Sequence, residues 1–172
     1  MKASVYCTAR TMEQAEHIVL ELKQAGFTSD DISALLPDRR GTRDFAHEHH
    51  TKAPEGATAG GVVGFGLGAG LGWLAGVGSL AIPGIGPFIA AGPIMAALSG
   101  AAVGTATGGL IGALVGMGIP EFEAKRYDAK VREGSILISV HTDSGHQRDV
   151  ARDIFRNNHA EDISTGTEAS VS

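Results

Sequence analysis

Charge is missing from the middle of this chain: between Gly56 and Pro120 there is no Asp, Glu, Lys, Arg or His. Proton relays and charged pore filters are built on ionisable side chains, so this stretch offers material for neither. Cysteine is almost absent as well. Cys7 stands alone, which excludes an internal disulfide and a thiolate-rich metal site and fits a reducing compartment. Its place beside Val5 in an apolar strand reads as a buried, inert thiol. Trp73 is the single tryptophan and falls near the middle of the apolar segment 60–82, where it contributes nothing to an interfacial aromatic belt. A formal net charge of -5 lacks the basic excess of a nucleic-acid-binding protein. The opening residues, Met1 to Val5, lack the apolar run of a signal peptide, so any membrane insertion is expected to use the internal segment.

Glycine fills the uncharged region: 20 of the 25 glycines lie between Gly56 and Gly118. They fall into two ladders with a four-residue step. Gly56, Gly60, Gly64, Gly68, Gly72 and Gly76 form the first, and Gly100, Gly104, Gly108, Gly112 and Gly116 the second. Residues four apart share a helix face, so each ladder predicts a groove that a second helix backbone can approach closely. Glycine costs about 1 kcal/mol relative to alanine in an exposed helix, so such a run needs compensation by packing. Small-xxx-small repeats in uncharged segments pack membrane helices together.

The flanks have a different character. Ser4 to Ala9 reads as a strand, and Thr11 with Gln14 three residues later matches a capping box. Met12, Ala15, Ile18, Val19 and Leu22 then share a helical face, Gly26 stops the helix, and Ile32 to Leu36 reads as a second strand ended by Pro37. The other flank repeats the scheme. Ile136, Ile138 and Val140 alternate with Leu137, Ser139 and His141 as a half-buried strand; Val150, Ala151, Ile154 and Phe155 make a helical stripe that Asn157 and Asn158 end. Asp162-Ile163-Ser164 echoes Asp31-Ile32-Ser33. Two such halves predict an α+β class chain, a ferredoxin-like split βαβ domain with two helices on one face of a four-stranded antiparallel sheet.

The glycine-rich stretch is thus expected as a two-helix hairpin inserted into that domain. The predicted organisation is a first βαβ half at 1–37, a linker at 38–55, the hairpin at 56–119, a connector helix with the second half at 120–164, and a small polar, disordered tail at 165–172. Gly60 to Ile82 would make a helix of about 34 Å and Ile94 to Ile119 one of about 39 Å, against a hydrocarbon core of roughly 30 Å. Pro83 to Pro93 is the breaker-rich connection. Arg39, Arg40, Arg43 and Lys52 precede the hairpin and Lys125, Arg126 and Lys130 follow it, while the connection has neither Lys nor Arg. The positive-inside rule then places both flanks, and with them both termini, in the cytoplasm. Large apolar residues are sparse in both helices. The alternatives are therefore a cytoplasmic, soluble oligomer with buried Gly/Ala-packed hairpins, and a re-entrant or surface-lying hairpin.

Candidate sites are few. His47, His49 and His50, with Asp44 and Glu48, bring metal-ligating side chains together, but without helical i, i+4 spacing and in a linker. A solvated linker is the plainer reading; protonation near pH 6.5 beside anionic lipid is the sharper one. Pro120 opens a connector helix whose Ala124, Tyr127 and Val131 form a thin stripe, with Glu121–Lys125 and Asp128–Arg132 as i, i+4 pairs. A nucleophile elbow, a phosphate loop and a dinucleotide fingerprint are all missing, so catalytic residues and cofactors are expected to be none. The helix-packing residues expected are Gly60, Gly64, Gly68, Gly72, Gly76, Gly100, Gly104, Gly108, Gly112 and Gly116. The expected partners are a lipid bilayer and further copies of the chain, with no nucleic acid.

The strings KAPEGATAGGVVG, IPGIGPFIAAGPIMAALSGAAVG, GGLIGALVGMGIPEFEAKRY and GSILISVHT, with AGFTSDDISALLPD, resemble a family of small bacterial general stress proteins with a glycine-rich hairpin. The resemblance covers nearly the whole chain and implies a non-enzymatic, stress-associated membrane protein. Its cytoplasmic domain would bind a ligand or a protein partner. In layout the chain is also distantly similar to the membrane-anchor subunit of quinol:electron acceptor oxidoreductases, which would make it an accessory subunit of a redox complex.

Overall fold

A computed structural model of the 172-residue chain describes residues 2–37, 78–82, 86–91 and 109–167. The elements are β1 (Ala3–Ala9), α1 (Met12–Gln24), β2 (Ile32–Pro37), β3 (Gly78–Ile82), β4 (Gly86–Ala91), α2 (Leu110–Gly116), α3 (Glu121–Arg132), β5 (Ile136–Thr142), α4 (Gly145–Asn157) and β6 (Glu161–Thr167). One sheet takes in all the strands in the order β3-β4-β2-β5-β1-β6, with every neighbouring pair antiparallel. β1 and β2 run parallel with β5 between them, joined by α1; β5 and β6 flank β1, joined by α4. These four strands and two helices are the ferredoxin-like α+β arrangement, and β3 and β4 extend its sheet beyond β2.

Local chemistry sets the helix ends. The Thr11 hydroxyl accepts from Gln14 N at 3.2 Å, and Gln14 Oε1 reaches back past the N-cap to accept from Arg10 N at 2.8 Å, a close variant of the capping box. α4 repeats it: Gln147 N donates to Ser144 Oγ at 3.2 Å and Asp143 N to Gln147 Oε1 at 2.9 Å. Past α1, Gly26 takes φ +96°, and Phe27 N reaches back to Leu22 O at 3.1 Å.

The two faces of the sheet carry separate cores. Val5, Cys7 and Ala9 of β1, Ile32, Ala34 and Leu36 of β2, and Ile136, Ile138 and Val140 of β5 face Ala15, Ile18, Val19 and Leu22 of α1 and Ala151, Ile154 and Phe155 of α4. The alternate residues Tyr6, Leu35 and Leu137 face Leu110 and Leu114 of α2 and Ala124, Tyr127 and Val131 of α3. β5 was expected to be half-buried, yet Leu137 and Ser139 are buried as well. The reason is that α3 lies across the second face, so the connector helix is a structural layer of the domain. Its Glu121–Lys125 pair forms at 2.7 Å and its Asp128–Arg132 pair at 2.8 Å.

Three expectations need correction. Residues 78–82, assigned from sequence to the end of a helix over Gly60–Ile82, form β3, and the connection Pro83–Pro93 contains β4. A residue before proline disfavours the α region, which stops a helix at Ile82, and the open edge of β2 supplies backbone partners. β4 pairs with β2 from Ala34↔Ala91 to Pro37↔Phe88. The described part of the connection therefore belongs to the domain's sheet. The expected helix over Ile94–Ile119 has its described portion, Leu110–Gly116, in the second core, where Leu110 and Leu114 are fully buried. It ends at Gly118, φ +89°, with Ile119 N donating to Leu114 O. Thr165, Gly166 and Thr167, expected in a disordered tail, continue β6 opposite Val5, Ser4 and Ala3. The linker at 38–55 lies outside the described residues.

Candidate functional site

β6 meets α3 in a polar cluster. Asp162 takes φ +50° where the β1–β6 register shifts between Tyr6 and Thr8, a bulge in the edge strand. That bend turns the Asp162 carbonyl toward α3, where the Tyr127 hydroxyl donates to it. The same hydroxyl lies 2.6 Å from Ser164 Oγ. One phenol carries one proton, so with that proton on the Asp162 carbonyl the Ser164 hydroxyl is the donor to Tyr127. Burial pushes the Tyr127 phenol well above its ordinary pKa, against the opposing effect of the Ser164 hydrogen bond, and keeps it a donor. Its ring sits 6.3 Å from that of Tyr6 at 41°.

Around this centre the charges alternate. Glu161 pairs with Arg10, and with Lys130 at 3.3 Å; Asp162 lies 3.7 Å from Arg126. Thr8 Oγ1 lies 3.3 Å from both the Glu161 carbonyl and Asp162 Oδ2. The hydrogen bond from Arg10 above all, with help from Lys130, holds the Glu161 carboxyl below the usual carboxylate range. Acids and bases here satisfy one another, so the cluster ties an edge strand to a helix. Asp128, buried on α3, accepts from Arg132 through Oδ2, while its Oδ1 has no partner among the described residues.

A concavity of about 70 Å³ opens between the end of α1 and the start of α4, lined by Ala25, Gly26, Phe27, His146, Gln147 and Val150. Small-molecule sites run to roughly 300–1,000 Å³, so this hollow suits a few waters. Both faces of the ferredoxin-like sheet are covered by helices, and neither is an open platform for a ligand.

The sites expected from sequence are placed as follows. His47, His49 and His50 lie outside the described residues, as do Gly60, Gly64, Gly68, Gly72, Gly76, Gly100, Gly104 and Gly108. Gly112 and Gly116 lie on α2, and a Cβ at Gly116 would meet nothing within 4 Å. The space beside the Cβ position of Gly116 is therefore open among the described residues. Cys7 is buried in the first core, and desolvation raises its thiol pKa well above the ordinary value, which makes it a packing residue. Among the described residues no group of three or more His, Cys, Asp and Glu side chains is placed to hold a metal, and no helix is long and apolar enough to cross a membrane. Sequence reasoning missed the Tyr127–Asp162–Ser164 contact, whose partners are 35 and 37 residues apart. It also passed over the second capping box, which the Ser144–Gln147 spacing spells out.

Fold and site together define a class: a ferredoxin-like α+β sandwich with a second helical layer and a sheet extended by its own insertion. Comparison with protein-family models, curated proteins and solved structures finds no match to this chain.

Proposed function

We propose that this is a non-enzymatic, self-associating protein in which the ferredoxin-like domain carries a glycine-rich apolar insertion that other copies of the chain cover. The observation that carries the reading is the pairing of β4 with β2. It ties the middle of the insertion to the sheet and favours an insertion held against the domain over one threaded through a bilayer. An uncharged stretch from Gly56 to Pro120 still needs apolar cover, and the glycine ladders suit close contact between identical segments. A stress-associated role and a further protein partner rest on the sequence resemblance.

A bilayer surface is the second reading. Phe122 is 64% exposed and Val115 43% exposed at the corner between α2 and α3, beside Lys125 and Arg126. Exposed apolar groups next to cations suit the edge of an anionic membrane. Fractionation of the untagged chain separates the two. Recovery without detergent as an oligomer by light scattering is the expected result. A monomer would overturn the self-association reading, and recovery only in the membrane fraction would favour the second.

A further inference from the structure

The two edges of the sheet are guarded unequally. β6 carries Glu161 and Asp162, a bulge and a left-handed residue, and ion pairs to Arg10, Arg126 and Lys130. Those are the devices by which edge strands avoid pairing with other chains. β3, Gly78-Ser79-Leu80-Ala81-Ile82, has no charge and no proline. It pairs with β4 along one side over all five residues, and among the described residues it is the outermost strand at its end of the sheet.

We propose that β3 pairs antiparallel with β3 of a second copy about a two-fold axis at Leu80, joining two six-stranded sheets into one. The proposal rests on the self-association reading and names its interface. An isologous contact requires a surface that complements itself. Antiparallel self-pairing about Leu80 sets Gly78 opposite Ile82, Ser79 opposite Ala81, and Leu80 opposite Leu80 of the second copy. None of these brings like charges together, whereas antiparallel pairing of the acidic end of β6 with itself would. Five residues span about 17 Å, enough for a short ladder of main-chain hydrogen bonds. The absence of ionisable residues on both sides of β3, from Gly56 to Pro120, removes like-charge repulsion from the approach.

Disulfide trapping on the full-length chain tests the register. Directly opposed strand residues have Cβ atoms about 4.5–5.5 Å apart, close enough for small shifts to bring a disulfide into reach. Leu80→Cys should yield a covalent dimer on mild oxidation, and Cys7, buried in the core, should not compete. Ile82→Cys should not, because the two copies of that residue would lie roughly 14 Å apart. A charge pair separates pairing from damage to the fold. Ser79→Lys/Ala81→Lys should weaken dimerisation roughly tenfold or more, and Ser79→Lys/Ala81→Glu, which sets each Lys opposite a Glu, should recover it. No disulfide at Leu80→Cys, equal trapping at Ile82→Cys, or equal effects of the two double variants would overturn the pairing. If the chain is nevertheless an oligomer by light scattering, self-association stands and this edge is excluded. A monomer would end both.

Discussion

Tyr127 sits in the apolar stripe of α3 at the sequence level, yet its hydroxyl does the more specific work. It bridges to the Asp162 carbonyl and Ser164 across the second core. Tyr127→Phe keeps the ring and leaves a carbonyl and a hydroxyl without their partner. Unfolding in urea should show a loss of about 1–3 kcal/mol. The stripe is legible from helical spacing; its polar end is not, because nothing in the local pattern marks Asp162 as the residue whose carbonyl turns inward. His159 is a second case. It holds φ +56° after α4, with Ala160 N donating to Phe155 O at 2.9 Å, the position that Gly26 fills after α1. His159→Gly should raise stability by about 0.5–1 kcal/mol in the same measurement, because glycine adopts that conformation without the Cβ clash.

At the scale of elements, β6 is an edge strand held by charge. The Glu161 carboxyl is depressed in the folded protein, so its contribution is fully present above its unfolded pKa of roughly 4.3. That contribution is lost as pH falls through the lower folded value. Stability of the native chain should therefore decline more steeply below about pH 4.3 than that of Glu161→Gln, as read from urea midpoints at a series of pH values. The capping boxes and the Gly26 stop were legible because capping chemistry is local. β5 was read as half-buried because its second face depends on a helix that precedes it in the chain and packs across it. β3 and β4 escaped for a related reason: glycine-rich apolar sequence fits a close-packed helix or a strand, and the open edge of β2 tips the balance.

For the whole molecule, the described parts of the uncharged insertion belong to the split domain's own structure. β3, β4 and α2 all lie inside the sequence segment expected to stand apart from the domain, and all three join it. Association through the glycine ladders remains the proposed use of the segments before β3 and after β4. Gly68→Leu/Gly108→Leu should reduce the crosslinked oligomer of the full-length chain several-fold, since leucine fills a groove that backbone contact requires. An unchanged oligomer would assign assembly to surfaces other than the ladders. The sequence by itself determined the two βαβ halves, the helix caps and the uncharged character of the insertion, because each follows from periodicity, local hydrogen bonding or composition. Tertiary structure alone decided that α3 closes the second face of the sheet, that β4 lies against β2, and that Tyr127 holds β6. Each of these depends on contacts between residues far apart in the chain, where an unpaired edge or an uncovered face is satisfied by whichever distant segment can reach it.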